Sequence, residues 1–224
     1  MPRVVDHDAR RQAIVESLVR ITAREGLAAA SSRAIAADLG LAAGAIWYYF
    51  EDFDSVIAAA HDLVFERANR RVEQAVAGSV GVEAVYRMMR ELLPLTRETR
   101  DEAHIVVHFW GHVATNSLLA EANEDVESIW RTILLRSLLE GVAAGDLDGT
   151  DEQLDIAVDA LMTIVLGQQV AAVTTAMRTT PSRPLTLVDV VIDSLRSASR
   201  RRSHPVENTT ESGRSSDELP MESR

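Results

Sequence analysis

Cysteine is absent from all 224 residues, and that absence removes disulfide scaffolds, thiolate zinc sites and cysteine nucleophiles together. It fits a reducing compartment. Lysine is absent as well: each of the 23 basic residues is an arginine, a compositional bias that carries no mechanism. No segment alternates apolar and polar residues over strand length, so sheet architectures lack their basic signal. No run reads as apolar enough to cross a bilayer, and the opening Met1-Pro2-Arg3-Val4-Val5-Asp6-His7-Asp8 is charged from the start. Together these predict a soluble cytoplasmic protein. Positive charge is scarce overall. A formal net charge of −11 argues against indiscriminate attraction to phosphate, while leaving room for a small local DNA-reading surface.

What is present is helical periodicity nearly everywhere, which predicts an all-α fold of about nine helices in a chain long enough for a small domain joined to a larger one. Ile14, Leu18 and Ile21 mark one face of a first helix that Gly26 closes, and Ser31 is placed to cap a second, short helix ended by Gly40. A third short segment covers about 42–50. Asp52 or Asp54 opens a long helix that reaches about Gly78. Further helices are expected at about 82–93, 97–116, 121–144, 151–178 and 185–198, with Pro94, the run 145–149 and Thr180-Pro181-Ser182-Arg183-Pro184 as breaks. Composition then divides the chain into a helix-turn-helix domain over 1–52, a larger helical domain over 53–198 and a polar tail over 199–224 too poor in apolar residues to order itself.

The informative stretch runs from Ser31-Ser32-Arg33-Ala34-Ile35-Ala36 through Asp38-Leu39-Gly40-Leu41-Ala42-Ala43-Gly44-Ala45 to Ile46-Trp47-Tyr48-Tyr49-Phe50. Two short helices joined by a turn containing glycine form a helix-turn-helix, whose second helix can lie in a major groove. Ala36 is small where the two helices approach, Gly40 supplies the positive φ of a tight turn, and Leu41 and Ile46 pin the second element to Ile35 and Leu39. A helical hairpin packed for its own sake is the alternative reading of the bare spacing. Arg10, Arg11, Arg20 and Arg24 add positive charge on the first helix, which a solvated face explains equally well.

Over about 10–56 the sequence closely resembles the TetR family of transcriptional regulators, whose pattern runs from a Thr or Ser cap followed by Arg and Ile-Ala to Gly-Val-Ser-x-Gly-Thr-Leu-Tyr-x-Tyr-Phe. The resemblance implies that Ser31 caps the second helix and offers its hydroxyl and amide to a phosphate, that Ser32 belongs to the DNA-binding set, and that Arg33 reaches a base edge or phosphate. It implies that Ala42, Ala43, Gly44 and Ala45 lie against the bases, and that Trp47, Tyr48 and Tyr49 belong to the same DNA-binding surface. Four positions depart from the pattern: Ala42 and Ala45 replace Ser or Thr, Trp47 replaces Tyr, and Phe53 stands where a Lys commonly starts the next helix. Alanine still touches a thymine methyl and indole N–H still donates, but the lost lysine beside Glu51, Asp52 and Asp54 weakens phosphate attraction.

Farther on, Leu92-Leu93-Pro94-Leu95-Thr96-Arg97-Glu98 and Ala103-His104-Ile105-Val106-Val107-His108-Phe109-Trp110 resemble the C-terminal domain of BetI-like TetR regulators. That resemblance implies a sensor domain for an unidentified small-molecule effector and a homodimer through the last two helices, about 151–178 and 185–198. Palindromic operators supply an independent motive for a symmetric pair. Met88, Leu92, His108, Phe109, Trp110, Trp130, Met162 and Leu166 are the large or adaptable side chains placed to enclose an effector pocket, with plain core as their other reading. Gln168 and Gln169 interrupt an apolar helix, where hydrogen bonding and simple exposure both fit. His104, His108 and His112 share a helical face at metal-ligand spacing, but no cysteine or aligned acid completes a shell, so packing or pocket lining is preferred and no metal or cofactor is expected. The function expected is a homodimeric repressor of double-stranded operator DNA. A helical ligand- or metal-binding protein or enzyme that has lost DNA binding is the competing class, and no nucleophile–base pair or phosphate loop supports catalysis.

Overall fold

Eight α-helices and two single-turn 3₁₀ segments make up the computed structural model, which describes residues 7–113, 117–174 and 183–196, the side chains of 111–126 excepted. In order they are α1 (His7–Glu25), a 3₁₀ turn (Leu27–Ala29), α2 (Ser32–Asp38), a 3₁₀ turn (Ala45–Tyr48), α3 (Phe53–Val76), α4 (Gly81–Leu92), α5 (Arg97–Val113), α6 (Ser117–Ala143), α7 (Asp151–Val173) and α8 (Arg183–Leu195). Local chemistry sets several of these boundaries. At the head of α3 the Asp52 carboxylate accepts from the Ser55 N–H at 2.7 Å while the Asp52 N–H donates to the Ser55 hydroxyl at 3.3 Å, a reciprocal cap. Thr150 and Gln153 repeat the arrangement at the head of α7. Pro184 falls in the first turn of α8, where a missing N–H costs nothing.

Two apolar cores result, and α3 belongs to both. Its first half adds Val56, Ile57, Ala60 and Val64 to an N-terminal core built on Ile14, Leu18 and Ile21 of α1, Ile35 of α2, and Ile46 and Phe50. Its second half adds Phe65, Ala68 and Val72 to a larger core with Met88 and Met89 of α4, Leu134 and Leu138 of α6, Leu154 and Leu161 of α7, and Val188 and Ile192 of α8. Each fully buried side chain of this size contributes about 1.5–3 kcal/mol relative to exposure. From α5, Ile105 also lies in the N-terminal core, 1 % exposed, and Val106 packs against it. Close packing reaches its limit at Gly141 of α6, where a Cβ would meet the Leu147 side chain at 2.9 Å.

Two expectations change. The segment at 42–50 forms only a single 3₁₀ turn, Ala45–Tyr48, where an α-helix was expected. Bonds of the i→i+3 kind close it, such as Tyr49 N–H to the Ile46 carbonyl at 2.9 Å, with one i→i+4 bond, Phe50 N–H to the same carbonyl at 3.1 Å, at its end. Helix α7, with a mean hydropathy of 1.7 over an 18-residue window, is long and apolar enough to cross a bilayer, contrary to the reading that no run is. Leu154, Val158, Leu161 and Val165 enter the core, and a second apolar set with Ile156 and Val170 is exposed. Two apolar faces on one helix raise its mean hydropathy. The expected ends of α5 at 116 and of α7 at 178, and the tail over 199–224, fall outside the described residues.

Candidate nucleic-acid interface and cavity

The candidate DNA-facing surface starts at Ser31, which is extended (φ −134°) and accepts from the Ala34 N–H at 3.2 Å, capping α2. Ser32 opens that helix half-buried, and Arg33 is exposed on its first turn. At the other end the Leu41 N–H reaches the Ala36 carbonyl at 2.8 Å and the Gly40 N–H reaches that of Ala37 at 3.2 Å. This paired closure needs a left-handed residue between helix and turn, and Gly40 supplies it with φ 64°. Space is not the constraint there, since a Cβ on Gly40 meets nothing within 4 Å.

Beyond the turn, Ala42, Ala43 and Gly44 are exposed and Ala45 is half-buried. Ile46 is wholly buried and fixes the 3₁₀ turn to the core, which leaves Trp47 45 % and Tyr48 76 % exposed on the outer side. Tyr49 is half-buried between the two rings it contacts, His7 at 4.9 Å and Tyr48 at 5.1 Å between centroids. The Arg11 guanidinium donates to the Tyr49 carbonyl and lies over the Phe50 ring, 4.1 Å from its centroid. Arg20, with Ser17, binds the Asp38 carboxylate at 2.7 and 2.6 Å, and Arg24 pairs with Glu25. These hydrogen bonds from Ser17 and Arg20 hold the Asp38 carboxyl below its ordinary pKa. Three of the four α1 arginines considered from the sequence therefore have intramolecular partners.

The second feature is a cavity of about 440 Å³ enclosed by α3, α4, α5, α6 and α7. Of the side chains expected there, Leu92, Trp110, Trp130, Met162 and Leu166 line it, and Met88, His108 and Phe109 do not. Met88 is wholly buried in the core that α4 shares with α3 and α6. Phe109 is 2 % exposed with its ring stacked on His61 at 3.6 Å, and His108 is on an exposed part of α5. Gln169 lines the cavity. The side chain of His112 lies outside those described, and among the described residues no three His, Asp or Glu are grouped to hold a metal.

Sequence reasoning missed the polar wall. Arg71 of α3 donates to both Glu102 oxygens of α5 at 2.7 and 3.1 Å, with Glu91 and Glu98 each 3.6 Å away. Burial works against its charge, but the hydrogen bonds to Glu102 and the charges of Glu102, Glu98 and Glu91 outweigh it and raise the guanidinium pKa. His61, Val64, Phe65, Ala68 and Arg71 all line the cavity at i, i+3, i+4, i+7 and i+10 along α3. That spacing was a legible signal, hidden because Arg70-Arg71 resembles a solvated pair. Across the cavity the Trp130 indole N–H donates to Asn69 at 2.6 Å, and its ring stacks on Phe65 at 4.4 Å.

Comparison with known proteins matches residues 81–197 to the family model of the BetI-type transcriptional repressor C-terminal domain. The HTH-type transcriptional regulator PksA of Bacillus subtilis (strain 168) is 29 % identical over 184 residues, which cover 82 % of this chain and 88 % of that one. A transcriptional regulator from Rhodococcus sp. Rha1 superposes with a TM-score of 0.69 at 25 % identity, covering 83 % of this chain and 95 % of that one. The fold is also that of a putative transcriptional regulator from Saccharomonospora viridis, solved in complex with choline (TM-score 0.75, 19 % identity, 85 % and 99 % covered).

Proposed function

Because the chain belongs to the TetR family of DNA-binding transcriptional regulators, with a C-terminal domain of the BetI type, we propose that it is a homodimeric cytoplasmic repressor released from a palindromic operator by a small-molecule effector. The observation that carries the release step is the double engagement of α5. Ile105 is seated in the N-terminal core, and the neighbouring Val106 both packs on that core and lines the cavity. An occupant that shifts α5 therefore acts directly on the packing under the helix-turn-helix, and changes the separation of two recognition elements across a dimer.

In this reading residues 1–52 form the DNA-binding unit, docked on the head of α3, and 53–198 form the sensor and dimerisation domain. Ser31, Ser32, Arg33, Ala42, Ala43, Gly44, Ala45, Trp47, Tyr48 and Tyr49 face the operator; the exposure of Tyr48 and Trp47 on a turn anchored by buried Ile46 supports that assignment. Ser31 offers a hydroxyl and Arg33 a charge to phosphate or base. The effector occupies the α3–α7 cavity, a reading favoured by its volume and by the choline-bound Saccharomonospora viridis regulator of the same fold. The dimer forms through α7 and α8, where Ile156 and Val190, 60 % and 64 % exposed, are the most exposed of the large apolar side chains on those helices.

The test is fluorescence anisotropy of the purified protein on DNA from its own promoter region at modest salt. Tight binding to one fragment, reversed by an effector, supports the reading. Absence of tight binding to any such fragment refutes it.

A further inference from the structure

We infer that the effector is an organic cation that carries N–H: a protonated amine on a flat apolar body. This inference rests on the cavity being the effector site and adds the chemistry of the occupant. Four carboxylates, Glu91, Glu102, Glu127 and Asp159, line the cavity against two guanidiniums, Arg71 and Arg131. Both guanidiniums are already paired, Arg71 with both Glu102 oxygens and Arg131 with Asp159. An incoming anion meets an excess of negative charge, and the Arg71 Nε–H, which makes no hydrogen bond, already faces Glu91 at 3.6 Å. The same excess attracts a cation.

The acceptors also discriminate among cations. Glu91 approaches the Arg71 Nε only to 3.6 Å, beyond hydrogen-bond reach, so its carboxylate keeps acceptor capacity for a ligand N–H. His61 also lines the cavity, its side chain 6 % exposed; its Nδ1 makes no hydrogen bond and stands 3.6 Å from the Asp62 carboxylate. The rings favour a plate over a ball. Phe65 and Trp130 stack on each other at 23° between planes, so each covers one face of the other and they do not open as a cage around a tetra-alkylated head. Trp110 supplies a further apolar wall. A charged N–H group donating to a part-buried carboxylate makes a strong contact, which a quaternary nitrogen cannot make.

The test is calorimetric titration of the full-length protein with four probes of one skeleton: phenethylammonium, its N-trimethylated form, phenethyl alcohol and hydrocinnamate. Phenethylammonium is expected to bind at least about tenfold more tightly than the other three. Glu91→Gln is expected to reduce its affinity about tenfold while leaving phenethyl alcohol unaffected, and Asp159→Asn, at an exposed position, gives a second charge deletion with a smaller effect. Equal or tighter binding of the trimethylated form or of hydrocinnamate overturns the inference, as does binding of none of the four. Either failure concerns the ligand class alone; failure of the repressor reading shows separately, as absence of operator binding.

Discussion

Replacing Arg11 with alanine separates a side chain that holds the proposed DNA-facing turn in shape from one that touches DNA. Arg11 donates to the Tyr49 carbonyl and stacks on Phe50, so it closes the segment after the recognition turn onto α1. A charge-assisted hydrogen bond contributes about 1.5–3 kcal/mol and an exposed cation–π contact about 0.5–1 kcal/mol. Arg11 is half-buried, so the lower ends apply, and Arg11→Ala should weaken docking of the turn by about 2 kcal/mol, up to roughly 30-fold in operator affinity. The assay is anisotropy on a defined operator from about 50 to 200 mM salt, because only a lost phosphate contact changes the slope of log K against log salt. Arg11→Ala should lower affinity at every salt concentration with the slope unchanged. Arg11→Lys should rescue little, since an ammonium reproduces neither the planar stack nor the fork. A slope reduced by about one in Arg11→Ala, restored by Arg11→Lys, would refute the reasoning and make Arg11 a phosphate ligand.

Arg33→Ala and Tyr48→Ala should each abolish specific operator binding while circular dichroism and sedimentation show a folded dimer; retained operator affinity in both would remove the assigned reading surface. Val190→Asp places a charge on the exposed apolar face of α8 and should convert the dimer to monomer in sedimentation equilibrium, with a melting temperature measured alongside to show that the protomer folds. Hydrogen bonds from Ser17 and Arg20 depress the Asp38 pKa below 3.8, so its contribution to stability is present above that pH and is lost as pH falls toward the depressed folded value. Asp38→Asn should flatten the acid side of the stability–pH profile measured by urea denaturation, and an unchanged profile would show that the pair with α1 contributes nothing.

Short-range signals explain what the sequence made legible. The Ser31 cap, the Gly40 closure and the burial of Ile35 and Ile46 follow from residues within one turn of each other, and all were readable in order along the chain. The same holds for the break at Pro94, and for the head of α3 as far as Asp52 or Asp54, between which the structure chooses Asp52. The 3₁₀ geometry of Ala45–Tyr48 was not readable, because its helical spacing of Ile46, Tyr49 and Phe50 fits either kind of turn. Cavity residues were legible where bulk marked them, as at Trp110, Trp130 and Met162, and illegible where an ion pair did. Arg71 and Glu102 are 31 positions apart, and only the crossing of α3 and α5 makes them partners. Met88 and Phe109 carried the same bulk as the lining residues. Which side of a helix faces a void and which faces a neighbour is decided by tertiary packing.

Sequence-specific recognition of DNA by a symmetric pair of these chains is open to selection of bound sequences from a random duplex library with the purified protein at moderate salt. An inverted repeat with half-sites about one helical turn apart should be enriched. No enrichment from a protein shown to be folded and dimeric would contradict such recognition.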